Sequence, residues 1–231
     1  MEGVRTKFVI LLLLLFLLPN AGFAWGHLME LDIFKEQSLT YQIIKNKEIR
    51  YCIKMTSSLR DSHKADEKFL EDTIERTFRD WLDGINGAAL YGPSKESFVI
   101  DSNGVNIKKV DCDNPETHLK IIFGSPTVRL GIFPKIHYMF GTKNPVISYV
   151  PYDESTIADN LRHEFGHAFG LCDLYSELIW TCDSKYSSNF IPKKAIMEDN
   201  TTEITGDDQL GFLSLFVRFT GYEVDVDKMD L

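Results

Sequence analysis

The chain has 231 residues, of which 44% are hydrophobic and 12% aromatic, and it carries a formal net charge of -9 at pH 7. This composition can build a hydrophobic core, so it excludes a disordered chain, and the length predicts one domain. The negative charge repels phosphate, which argues against nucleic acids and anionic membranes and leaves proteins, peptides and small molecules as the expected partners.

The first 24 residues have the layout of a secretory signal peptide. Two basic residues precede the uninterrupted apolar run Phe8–Leu18, and small residues follow it up to Ala24. We expect cleavage after Ala24, because this three-part pattern is typical of exported proteins. A membrane anchor is the alternative, but a run of about eleven residues is short against the roughly twenty that span a bilayer. Residues 25–231 are therefore expected to form a secreted or periplasmic monomer that is not inserted in a membrane.

The predicted elements of the first half are strands and one long helix. Ile49–Met55 alternates apolar and polar residues, which predicts a strand. Over residues 66–85 the apolar residues recur at helical spacing, acidic residues crowd the first turn and glycines stand at the end, which predicts a long amphipathic helix. Three further regions have the pattern of extended chain, namely residues 97–105, 119–125 and 127–150.

The second half is predicted to contain two more helices. One begins near Asp153 or Ser155 and ends at Gly170; an irregular stretch follows, and an amphipathic helix spans about 207–219. The fold class is therefore α+β, with a mixed β-sheet, a long backing helix and a helix that carries the motif described next. We expect an N-terminal subdomain over about 45–170 and a small irregular C-terminal subdomain over about 171–231.

The motif HEFGH lies within the second long helix. Positions i and i+4 lie on one helix face, roughly 5–6 Å apart between Cβ atoms, so His163 and His167 can bind one metal ion. Glu164 is displaced around the helix and can reach a water on the metal, which suits a general base. H-E-x-x-H on a helix is the signature of zinc metallopeptidases. The alternative is a chance match, with partly buried histidines that only form hydrogen bonds.

Residues after the motif favour a metal site. Gly170 stands three residues after His167, where glycine allows the chain to reverse direction at a helix end. The acidic residue after that turn, Asp173, is the expected third ligand, which leaves one coordination position open for water, as in catalytic zinc sites. The competing third ligands are Cys172, Glu177 and Asp183.

The extended pattern His163-Glu164-x-x-His167-x-x-Gly170-x-x-Asp173 resembles the zinc motif of the metzincin clan. Its aspartate form is similar to the snapalysin group of small secreted bacterial peptidases. Metzincins also place a methionine in a tight turn beneath the zinc, and Met197 stands 24 residues after Asp173. The resemblance implies a metzincin-like fold, in which Met197 forms the Met-turn and a terminal helix follows it.

These residues predict a secreted zinc-dependent metalloendopeptidase with one catalytic Zn²⁺. Peptide bonds would be hydrolysed by a zinc-activated water, with Glu164 as general base. The alternative is an exported zinc-containing binding module without peptidase activity. Glu164 argues against that alternative, because a structural zinc site needs no base and fills its fourth position with a protein ligand.

The chain contains four cysteines, an even number that favours disulfides in an exported protein. Four cysteines allow three pairings. We favour Cys172–Cys182, which closes a short loop, and Cys52–Cys112; four buried thiols are the alternative.

Overall fold

A computed structural model describes six segments of the chain, namely residues 35–61, 66–92, 96–124, 146–171, 196–198 and 203–224. The predicted signal peptide and most of the extended region 127–150 lie outside them. The helices in the described segments are α1 (Leu39–Asn46), α2 (Ser57–Asp61), α3 (Glu67–Asp83), α4 (Ile157–Phe169) and α5 (Gly206–Thr220), with short 3-10 turns at Lys35–Gln37 and Ile196–Glu198. The strands are β1 (Glu48–Met55), β2 (Ala89–Tyr91), β3 (Ser97–Val99), β4 (Asn106–Lys109), β5 (Leu119–Gly124), β6 (Val146–Pro151) and β7 (Glu223–Val224).

Four of the strands form a parallel sheet in the order β4-β1-β5-β6. The central strands β1 and β5 bury alternate apolar side chains, such as Tyr51 in β1 and Ile121 in β5, as half-buried strands do. A smaller antiparallel sheet has the order β3-β2-β7. The α+β class is confirmed. The sequence analysis expected a mixed β-sheet, whereas every strand pair of the four-stranded sheet that the structure describes is parallel.

Helix α3 is the predicted long helix. Its N-cap Asp66 accepts hydrogen bonds from the backbone N–H groups of Lys68 and Phe69, which have no partner within the helix. One face of α3 is buried and packs against α4, where the rings of Phe78 and Phe165 stack with centroids 4.1 Å apart. This packing fixes the position of the helix that carries the HEFGH motif.

Helix α5 is the predicted terminal helix, and it packs on the same aromatic cluster. Phe212 of α5 contacts Trp81 of α3 and Phe169 of α4, with ring centroids 5.8 and 4.4 Å apart. All three side chains are fully buried. The described residues on both sides of Gly170 therefore share one hydrophobic core. No helix among the described segments is long and apolar enough to cross a membrane.

Helix α1 has no counterpart among the elements predicted from the sequence. Ser38 caps it by accepting a hydrogen bond from the N–H of Tyr41. The hydroxyl of Thr40 donates a buried hydrogen bond of 2.8 Å to the carbonyl oxygen of Phe169. That carbonyl is at the C-terminal end of α4, where helix carbonyls lack intrahelical partners. Helix α1 therefore supports the end of the motif helix.

A disulfide joins Cys52 of β1 to Cys112, in the turn after β4, with Cα atoms 5.2 Å apart. It is consistent with the pairing favoured from the sequence. Cys172 and Cys182 lie outside the described residues.

Candidate metal centre

His163 and His167 lie on one face of α4, as the motif predicts. Their ring centroids are 4.9 Å apart, the ring planes are nearly perpendicular at 89°, and both residues are partly buried. Two imidazoles one helical turn apart can reach a common point beside the helix.

Each histidine ring is oriented by a backbone carbonyl. Nδ1 of His163 lies 2.9 Å from the carbonyl oxygen of Ile196, and Nδ1 of His167 lies 2.9 Å from that of Leu171. A carbonyl oxygen only accepts, so each Nδ1 donates, and Nε2 of each neutral ring carries the lone pair. Metal-binding histidines have this arrangement, in which the nitrogen remote from the metal donates to a carbonyl or carboxylate. The two rings therefore fit a metal ion.

The end of α4 has the turn that Gly170 predicts. Gly170 has a φ of +120°, which side chains rarely adopt. The N–H of Leu171 donates to the carbonyl of Gly166 across 2.9 Å, so the chain folds back over the last turn. This reversal brings the carbonyl of Leu171 to the ring of His167. The glycine turn thus orients one of the two histidines.

Glu164 lies beside the first histidine and is only 1% exposed. Withholding a carboxylate from bulk water costs free energy unless neighbouring groups compensate for the lost solvation. Glu164 is therefore sheltered from bulk water beside His163.

Met197 packs directly beneath the motif helix. It lies in the 3-10 turn Ile196–Glu198, here called the methionine turn, and is 1% exposed. A Cβ atom at Gly166 would come closer than 3.0 Å to its Sδ atom, so the absence of a side chain at Gly166 allows the contact. The methionine therefore lies under the turn of α4 that separates the two histidines.

The sequence analysis missed Asp208, which is 3% exposed in the first turn of α5. Its Oδ2 accepts from the N–H of Ile196 (2.9 Å) and from both the N–H (2.9 Å) and hydroxyl (2.8 Å) of Thr205. Burial raises the pKa of the Asp208 carboxyl, and these hydrogen bonds oppose that effect. Thr205-x-x-Asp208 before an apolar run is a capping-box pattern, which could have revealed the local contact but not the one to Ile196.

The structure brings together His163, Glu164, His167, Gly170 and Met197. Asp173, the predicted third ligand, lies outside the described residues, as do its competitors Cys172, Glu177 and Asp183. Within the described segments, no group of three or more His, Cys, Asp or Glu side chains could hold a metal ion. Comparison with protein-family models and with curated proteins found no match to this chain.

Proposed function

We propose that the protein is an exported zinc-dependent metalloendopeptidase. The observation that carries this proposal is the pair of histidines on α4, each of which donates from Nδ1 to a backbone carbonyl. In this geometry Nε2 of each neutral ring keeps the lone pair that a metal ion needs, and it is the geometry that metal-binding histidines adopt.

In the proposed reaction, His163, His167 and Asp173 would hold one Zn²⁺. A bound zinc ion lowers the pKa of a coordinated water and polarises the scissile carbonyl. Glu164 takes a proton from the attacking water and then delivers it to the leaving amine, so one carboxylate acts first as base and then as acid. The carbonyls of Ile196 and Leu171 keep both imidazoles in one tautomer throughout.

We further propose that the fold is metzincin-like. Support comes from the chain order of a strand, a long helix, further strands and the motif helix, followed by a methionine turn beneath it and a terminal helix. The Cys52–Cys112 disulfide is consistent with export, because disulfides persist in oxidising compartments.

Hydrolysis of casein or a peptide library by residues 25–231, loaded with zinc, tests the proposal. Glu164→Gln removes the base and keeps the size of the side chain, so we expect the hydrolysis rate to fall at least about 100-fold, a typical contribution of general-base catalysis. Zinc binding should stay close to that of the wild type, since Glu164 is not a proposed ligand.

Asp159→Asn is the matched control. It replaces a carboxylate on the same helix, but Asp159 pairs with Arg162 and is partly exposed. We expect it to retain the wild-type rate. Chelator-sensitive hydrolysis that disappears only in Glu164→Gln supports the peptidase. Zinc binding without hydrolysis by the wild type would instead favour a zinc-containing binding module, and the absence of zinc binding would contradict both.

A further inference from the structure

Asp208 connects the terminal helix to the candidate metal centre through the backbone of the methionine turn. Its carboxylate accepts the N–H of Ile196, and the carbonyl of the same residue accepts Nδ1–H of His163. Two bonds of 2.9 Å therefore hold the backbone of Ile196, one at its N–H and one at its carbonyl. A second, longer contact of 3.5 Å joins Asp208 Oδ1 to the N–H of Met197.

Local capping does not account for this arrangement. A capping box needs only the exchange between Thr205 and Asp208, which satisfies the N-terminal end of α5. An exposed carboxylate would serve that purpose, as Asp66 does at the start of α3. Asp208 is instead buried, which costs solvation energy and raises its pKa. Its buried position lets Asp208 accept hydrogen bonds from the methionine turn, which an exposed carboxylate could not reach.

We propose that Asp208 is a positioning residue for the metal centre. Its carboxylate holds the N–H of Ile196 and, at longer range, the N–H of Met197, whose peptide unit carries the carbonyl of Ile196. This carbonyl fixes the ring orientation and the tautomer of His163. The sequence places the aspartate 45 residues after the histidine, in another helix, so the link exists only in the folded chain. The role of Asp208 in metal binding rests on the proposed function, whereas the hydrogen bonds that Asp208 makes do not.

The variant that tests this proposal is Asp208→Ala, studied in residues 25–231. Without the carboxylate, the N–H groups of Ile196 and Met197 lose their acceptor, and the Ile196 carbonyl between them no longer holds His163 in one tautomer. We expect the affinity for Zn²⁺, measured by competition with a chromophoric chelator, to fall about 10–100-fold, as it does when other groups that orient metal-binding histidines are removed. Asp208→Asn keeps an oxygen that can accept the N–H of Ile196, so it should restore most of the affinity.

Two controls separate positioning from loss of stability. Asp66→Ala removes the N-cap of α3, which lies on another helix, and should leave the affinity for Zn²⁺ within about twofold of the wild type. Ring ¹⁵N NMR of the metal-free protein above pH 7.5 gives a second readout. In Asp208→Ala the signal of His163 should change to a mixture of tautomers, whereas that of His167, which contacts Leu171, should not.

The proposal is overturned if Asp208→Ala binds Zn²⁺ as tightly as the wild type, or if Asp66→Ala loses as much affinity for Zn²⁺ as Asp208→Ala does. It is also overturned if the ring signals of both histidines change equally in Asp208→Ala. If Asp208→Ala does not fold, proton exchange in the wild type decides. The exchange rates of the Ile196 N–H and the His163 Nδ1–H should then show the same dependence on urea concentration, because both protons are released by one opening of the structure. Different urea dependences of the two rates would overturn the proposal. A wild type that binds no Zn²⁺ would contradict the proposed function alone, since the tautomer measurement needs no metal.

Discussion

Gly166 lies between the two histidines of the candidate centre. Met197 occupies the space that a side chain at position 166 would fill. A Cβ atom at this position would come closer than 3.0 Å to Met197 Sδ and lie 3.1 Å from Cζ2 of Trp81. Both neighbours are at most 1% exposed, so neither can move into solvent. The motif H-E-x-x-H leaves this position free, yet the packing here demands glycine.

Two opposing effects decide the outcome of Gly166→Ala. Alanine is better than glycine in a helix by about 1 kcal/mol, whereas an extra carbon in a full core costs about 1–3 kcal/mol. We expect the steric cost to dominate, so that the free energy of unfolding, measured by urea denaturation, falls by about 1 kcal/mol. Gly206→Ala is the control, because no atom of the described residues lies within 4 Å of its Cβ position, its chain neighbours and its own helix backbone apart, and it should be neutral or stabilising. A Gly166→Ala variant more stable than the wild type would contradict the packing of Met197.

Helices α3, α4 and α5 could be predicted from the sequence because their signals are local. Apolar spacing, the acidic first turn and the glycines at the helix end placed α3 within two residues of its observed ends, and the reversal at Gly170 was expected from the same kind of signal. Helix α1 was missed since only eight residues carry its pattern and Thr40 contacts Phe169, 129 residues away. The role of Asp208 depends in the same way on a contact between distant segments.

At the scale of elements, β1 and β5 are joined beyond their ladder by His118. Its N–H donates to the carbonyl of Arg50 across 2.8 Å, and its Nδ1 accepts the N–H of Arg50 across 3.1 Å. Burial and the neighbouring Arg50 guanidinium lower the pKa of His118, although Glu48 and Glu116 oppose this effect. The neutral ring is therefore the form that holds the two strands together.

The lowered pKa predicts a loss of stability in acid. An unfolded histidine has a pKa of about 6.5; between that value and the lower pKa of folded His118, the unfolded chain binds more protons, so stability falls as the pH falls. We expect the free energy of unfolding to decrease from about pH 6.5 downward. His118→Asn, whose amide oxygen can accept the same N–H, should show a weaker decrease over that interval. Identical pH dependence of the two proteins in urea titrations would show that His118 does not titrate as expected.

At the scale of the whole molecule, the Cys52–Cys112 disulfide links β1 to the weakly buried strand β4, which stands at the end of the strand order that the structure describes. Strand β4 has four residues, none of them fully buried, and its pairing with β1 ends at Tyr51 and Lys109. The disulfide continues that connection from the next residue of β1 to the turn after β4. Burial of side chains alone gives β4 little stability, so we expect the covalent link to hold it on the sheet.

Replacing both cysteines, as Cys52→Ala with Cys112→Ala, should therefore destabilise the protein and loosen β4 in particular. The bond closes a loop with a sequence separation of 60 residues, and releasing a loop of this length increases the entropy of the unfolded chain, at a cost of about 2–4 kcal/mol. The free energy of unfolding should fall by that amount, and the β4 amides should lose protection from hydrogen exchange before those of β5. Cys172→Ala with Cys182→Ala is the control: it leaves this loop closed, so β4 should keep its protection. If β4 is equally protected in all three proteins, its attachment depends on the strand pairing and not on the disulfide.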